Sequence, residues 1–340
     1  MKMIDQRLLP HRFEIISLAS HIETAAAIRD MATRGAGSVG CAAGYAMAQA
    51  ALEASGLAPE RFKGYVAGAA ETVRGTRPTA INLFHAVDRC MAAAGGGPVA
   101  ERARNMVEAA DGIAADDREA SRLIGVHGAG LIRDGFRVLT HCNAGALGFL
   151  DDGTALSPIR VAHRQGRRVF VWVDETRPRF QGARLTAWEM EMEGIPYALI
   201  VDNAAGHYMR SGQVDLVIVG ADRVAANGDV ANKVGTYEKA VVARENGVPF
   251  YVAAPGTTFD HRAPTGDGVE IEERAPDEVT RVWGLDEDGE YRWVQVPLEG
   301  TPAMNPGFDV TPARYVTGFI TEKGIIKPPY ATNIRRAFRP

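Results

Sequence analysis

The chain has 340 residues, 46% of them hydrophobic and 24% charged, enough for two domains with separate cores. It carries no continuous apolar run of membrane length, and a formal net charge of −4 creates no broad attraction to nucleic acid or anionic lipid, so neither partner is expected. Three cysteines match no disulfide framework or zinc spacing, and eight histidines form no His-x-x-x-His pair, so no metal ion is expected. Met1-Lys2-Met3-Ile4-Asp5-Gln6 lacks the basic-then-apolar order of a secretory signal, which makes the cytoplasm the expected location.

A short strand is predicted within Phe13 to Leu18. Apolar residues then recur at helical spacing over Ile22 to Thr33, Val39 to Ser55, Ala80 to Ala94 and Val99 to Ile124, with Gly95-Gly96-Gly97-Pro98 separating the last two. Beyond residue 120 the pattern changes. Short apolar runs at 136–140, 168–173, 197–201, 214–219 and 249–253 alternate with helical stretches, at separations that right-handed βαβ crossovers require. The reading is an α/β protein: a mainly helical N-terminal domain over residues 1–120, followed by a doubly wound, Rossmann-like parallel-sheet domain over 121–340.

Carboxyl ends of strands border the ligand crevice in open α/β sheets. The run ending at Thr140 leads into His141-Cys142-Asn143, and the run ending at Val219 leads into Gly220-Ala221-Asp222, so a thiol and a carboxylate are placed for chemistry. Asp174-Glu175-Thr176-Arg177 and Asp202-Asn203 follow two further strands, and four polar ends on one sheet edge suggest a shared pocket. Three segments suit an anion: Thr33 to Ser38, whose small residues open a helix behind Arg34; Arg74 to Thr79, which holds Arg77; and Ala231 to Thr236, which holds Asn232 and Lys233. None is a P-loop. Gly35-Ala36-Gly37-Ser38-Val39-Gly40 has the spacing of a dinucleotide fingerprint but follows a predicted helix instead of a strand.

Several longer stretches carry a resemblance. They are Arg34-Gly35-Ala36, Arg77 to Leu83, Thr140 to Leu147, Glu175 to Pro178, Gln181 to Glu189, Gly220 to Asp229, Asn232 to Tyr237, Ile271 to Arg274 and Asn305 to Pro312. Over about residues 20 to 325 the chain resembles the methylthioribose-1-phosphate isomerases. That family is related to the ribose-1,5-bisphosphate isomerases and to the regulatory subunits of translation initiation factor 2B. The resemblance implies Cys142 and Asp222 as catalytic residues, substrate contacts from Arg34, Gly35, Ala36, Arg77, Gln181, Asn232 and Lys233, a sugar phosphate as substrate, no cofactor, and a homodimer.

A sugar 1-phosphate is a cyclic acetal that opens only when its ring oxygen is protonated, so Asp222 is expected to be an acid kept protonated by desolvation. Cys142 is expected to move the C2 proton to C1; a direct C2-to-C1 hydride shift is the alternative. The chain departs from the family's usual Arg-Gly-Ala-Pro with Arg34-Gly35-Ala36-Gly37, which leaves methylthio, hydrogen and phosphate as possible 5-substituents. Arg184 and His207 are the obvious spare cations for a second phosphate, and methylthio is the favoured reading.

Overall fold

A computed structural model describes residues 1–77 and 79–338. Pro78, within the second segment expected to suit an anion, and Arg339 and Pro340, at the end of the second expected domain, lie outside the described residues. Strands β1 (Lys2–Ile4) and β2 (Ile15–Ser17) pair antiparallel ahead of α1 (His21–Arg29), which Ser20 caps by accepting the Glu23 N–H. Then come α2 (Ala36–Glu53), α3 (Pro59–Arg74), α4 (Ile81–Ala93) and α5 (Val99–Ala129). Sequence periodicity overlooked α3, although Pro59 at its first position and the buried Phe62, Val66, Ala69, Ala70 and Val73 mark an amphipathic helix.

The alanines and glycines of α2 let its neighbours close in. A Cβ on Gly40 would lie 3.2 Å from Asn82 Cβ, and one on Gly44 would lie 3.1 Å from Ile113 Cδ1. Ala43, Ala46, Met47, Leu83, Val87 and Met106 form the centre of this helical core, where each large side chain contributes about 1.5–3 kcal/mol by leaving water. The change of organisation expected at residue 120 falls inside α5, which continues to Ala129. Its first half packs into the helical core through Ala103, Met106 and Ala110, and its second half packs under the sheet through Ile124 and Ala129.

The sheet part contains β3 (Phe136–Thr140), α6 (Ser157–Arg164), β4 (Val169–Asp174), α7 (Ala187–Met192), β5 (Tyr197–Ile200), α8 (Ala205–Arg210) and β6 (Leu216–Val219). It continues through β7 (Arg223–Ala225), β8 (Val230–Lys233), α9 (Thr236–Glu245), β9 (Phe250–Ala253), β10 (Phe259–Asp260), α10 (Asp277–Thr280), β11 (Arg281–Leu285) and β12 (Tyr291–Gln295). The last elements are β13 (Phe308–Thr311), β14 (Gly318–Thr321), β15 (Gly324–Ile326) and α11 (Tyr330–Ala337).

Seven of these strands form one sheet in the order β15-β14-β9-β6-β3-β4-β5, parallel apart from β15. Both faces are covered, so β6 reads Leu-Val-Ile-Val without polar alternation: Val217 and Val219 enter one core, Leu216 and Ile218 the other. The chain starts at the centre with β3, winds outward to β5, then returns to β6 and winds the other way. The doubly wound reading therefore holds, and its topological switch point lies between β3 and β6. A second sheet, β10-β7-β8-β13, and the β11-β12 hairpin were not foreseen, because their strands are short or lack a continuous apolar run.

Candidate active site

Cys142 and Asp222 follow the two strands that flank the switch point. The chain turns sharply after β3, and Cys142 sits at φ 64°, a left-handed conformation that costs a non-glycine residue energy unless its surroundings hold it. They do. Its N–H donates to Thr176 Oγ1 at 2.8 Å, and the Thr186 hydroxyl donates to its carbonyl at 2.6 Å. Thr176 is itself left-handed at φ 64°, with its N–H donating to Asp202 Oδ1 at 2.8 Å. Gly220, just past β6, admits the Cys142 turn, since a Cβ there would lie 2.6 Å from Ala144 Cβ.

Asn143, next in the chain, is buried and accepts two bonds from Arg34: Nη1 reaches its Oδ1 at 2.6 Å and Nη2 its carbonyl at 2.7 Å. Its amide nitrogen donates to Glu189 Oε1 at 2.9 Å, and Glu189 also accepts the N–H groups of Ala146 and Leu147 and the Arg160 guanidinium. Gly35, at φ 92°, presses against Gly148, where a Cβ would come within 2.4 Å of Gly148 Cα. Only glycine meets both requirements.

Gly35, Ala36, Arg77 and Asp222 line one cleft, together with Val39, Ala80, Val269, Ile271 and Phe308. Arg34, Cys142 and Lys233 are close enough to shape its charge. Burial pushes the Asp222 carboxyl above its ordinary value, with Lys233, Arg34 and Arg77 pulling the other way. Burial likewise pushes the Cys142 thiol up, against Arg34 and Lys233. It pushes the Lys233 ammonium down, against Cys142 and Asp222. Burial thus disfavours the charged form of all three groups, and the opposite charges among them counter it.

Lys233 donates to Gly307 O at 2.5 Å and lies 4.8 Å from the centre of the Phe308 ring. Asn232 is buried behind it, donating to Thr236 Oγ1 at 3.0 Å; both residues belong to β8 and precede α9. Arg77 has a long contact with Glu272, 3.6 Å, and its Nε is buried with no partner among the described residues. Gln181 does not line the cleft. It is buried just ahead of the π-helical turn Gly182–Thr186, with its Oε1 unpartnered among the described residues.

Sequence reasoning missed the support behind these residues: Asn143, Thr176, Thr186, Glu189 and a charged cluster around His141. Three ligand-capable atoms of His141, Asp174 and Asp202 lie within 4.8 Å of one another, a grouping that histidine spacing along the chain did not reveal. The cation among them is a lysine, for Lys239 Nζ lies 3.2 Å from Asp174 Oδ2 and donates to Asp202 O at 3.2 Å. The legible signal was that Asp174, Thr176 and Asp202 all follow strand ends.

Residues 32–328 match the sequence model of the initiation factor 2 subunit family. The chain is 47% identical to methylthioribose-1-phosphate isomerase of Acetivibrio thermocellus over 339 residues, covering 99% of this chain and 96% of that one. Among solved structures it is similar to 5-methylthioribose 1-phosphate isomerase from Pyrococcus horikoshii OT3, at TM-score 0.89 and 42% identity over 99% of this chain and 92% of the other. The translation initiation factor eIF-2B, subunit delta, from A. fulgidus is also similar, at TM-score 0.84 and 42% identity, covering 99% and 96%. The chain belongs to the initiation factor 2 subunit family and, within it, to the methylthioribose-1-phosphate isomerases.

Proposed function

We propose that this chain is an aldose–ketose isomerase that converts 5-methylthioribose 1-phosphate into 5-methylthioribulose 1-phosphate, a step of methionine salvage. Family membership supports the reaction class. The observation that carries the reading is the pairing of Cys142 with Asp222 at the two strand ends beside the switch point, within charge range of Arg34 and Lys233. The helical part, residues 1–120, would supply the phosphate loops at Arg34-Gly35-Ala36 and Arg77. The sheet part, residues 121–340, would supply Cys142, Gln181, Asp222, Asn232 and Lys233.

Asp222, kept protonated by desolvation, gives its proton to the ring oxygen as the C1–O bond breaks and leaves the electron deficit at C1. Cys142, as the thiolate, takes the C2 proton, forming an enol phosphate, and returns it to C1. Asp222 recovers a proton from O2 as the C2 ketone forms, so both residues end as they began. No metal or organic cofactor enters these steps. One feature favours the hydride route: burial pushes the Cys142 thiol up, which disfavours the thiolate that would act as base. There, the C2 hydrogen moves with its electron pair to C1, and Asp222 takes the O2 proton. Reaction in D2O distinguishes the two, because proton transfer through a thiol incorporates deuterium at C1 and a hydride shift does not.

The apolar lining by Val39, Ala80, Val269, Ile271 and Phe308 supports a methylthio group over a second phosphate. Neither spare cation lines the cleft. Arg184 donates to the carbonyls of Gln6, Arg7 and Leu9, and His207 lies edge-on to Tyr208. Arg223 does line it, but its guanidinium lies 3.7 Å from Asp260 and donates to Thr79 O. Comparing kcat/KM for the 5-methylthio, 5-deoxy and 5-phospho aldose 1-phosphates, with ketose formation followed by NMR, tests the assignment. Preference for the bisphosphate would overturn the substrate, and no ketose from any of them would overturn the enzyme reading in favour of a regulatory protein. We also propose a cytoplasmic homodimer; light scattering at the chain's own mass, 36.5 kDa, would refute the dimer.

A further inference from the structure

We infer that His141 is a positioning residue that crosslinks the Cys142 turn to the Lys233 strand end, setting the thiol against the ammonium. His141 is buried at the end of β3, and its imidazole spans two separate segments. Nε2 lies 2.8 Å from the carbonyl of Val234, the residue after Lys233, and a carbonyl only accepts, so Nε2 carries a proton and donates it. Nδ1 lies 3.1 Å from Asp174 Oδ2, whose charge Lys239 shares at 3.2 Å.

The same support reaches Cys142 by a second path. The Thr176 hydroxyl that accepts the Cys142 N–H donates to Asp174 O at 3.1 Å, so Asp174 steadies the imidazole through its side chain and the thiol turn through its backbone. The partner segment is shaped to close on the ring. Gly235 has φ 101°, and a Cβ there would stand 3.1 Å from His141 Nε2 and 3.4 Å from Lys239 Nζ. Asp309 fixes that segment from the other side, accepting the Gly235 N–H at 2.6 Å. His141, Asp174 and Lys239 are at most 1% exposed, which excludes a direct role in gripping solvent-borne substrate.

The proposal rests on Cys142 and Lys233 serving the isomerase reaction, and its test separates the two ideas. Glutamine can place an amide N–H near the Nε2 position and keep the bond to Val234 O; asparagine reaches only as far as Nδ1. His141→Gln should retain kcat within about threefold of the parent. His141→Asn should lose about tenfold or more in kcat, the cost of a misplaced reacting group, with KM changed by less than about threefold because Lys233 keeps its Gly307 contact. Equal activity in the two variants would overturn the crosslink. If His141→Asn does not fold, 15N spectra of the intact protein still decide: Nε2 protonated and donating is expected, and Nε2 unprotonated overturns the inference whatever reaction the protein catalyses.

Discussion

Arg34 holds Asn143 at two points, Oδ1 at 2.6 Å and the carbonyl at 2.7 Å, and so ties the turn before α2 to the residue beside Cys142. The grip is bidentate and planar, and lysine cannot reproduce it. Arg34→Lys should therefore lower kcat/KM by about tenfold or more while keeping the net charge. Steady-state kinetics at two salt concentrations check this; a variant with parental kcat/KM would show that charge alone matters at this position.

Cys142→Ser and Asp222→Asn should each leave the fold intact and lower turnover by ~10²–10⁴-fold, the usual contribution of a proton-transfer group. Among the described residues neither side chain anchors the local backbone; the Cys142 turn is held by its N–H and carbonyl. Circular dichroism and initial rates on the same samples test both halves. Activity within about threefold of the parent would remove that residue from the mechanism.

Glu189, 2% exposed, is predicted to be the most damaging single truncation behind the site. Its carboxylate pairs with the buried Arg160 at 2.5 Å and accepts N–H groups from Asn143, Ala146 and Leu147. Glu189→Ala leaves the buried Arg160 guanidinium only its 3.2 Å contact with the partly exposed Glu193 and takes the acceptor from three N–H groups, at a cost of about 3 kcal/mol, the low end for a broken buried pair. Urea unfolding of the two proteins measures the difference, and a loss below about 1 kcal/mol would mean that water reaches Arg160 readily.

Asp117 on α5 supplies a pH dependence with a definite sign. Burial pushes its carboxyl up to about 7, opposed by the bond it accepts from the Leu150 N–H. Between about pH 4 and 7 the folded chain keeps a proton that the unfolded chain has released, so this stabilisation is full below the unfolded value and is lost as pH rises through the folded one. Asp117→Asn removes the titration and retains an acceptor for Leu150. Urea midpoints of the parent should fall relative to the variant from pH 4.5 to 8, and parallel curves would contradict the shift.

Much of the site is legible in the sequence. The apolar runs ahead of Cys142 and Asp222 identify buried parallel strands, and the small residues after Arg34 and the polar residues after β4 and β5 mark a shared edge, because period and turn chemistry are local properties of the chain. The long motifs around Cys142, Gln181 and Asp222 identify the family for the same reason: they are contiguous.

What the chain by itself determined, then, is its α/β class, the strand ends that carry a thiol and a carboxylate, and the anion-suited segments around Arg34, Arg77 and Lys233. Tertiary structure alone decided that β3 and β6 are neighbours at the switch point, that α5 runs unbroken through residue 120 to serve two cores, and that Glu189 and Thr186 hold the Cys142 turn. It also decided that His141, Asp174 and Lys239, separated by 33 residues or more along the chain, close into one buried cluster. Such pairings depend on sheet order and on which charges burial brings together, and no local pattern along a chain records either.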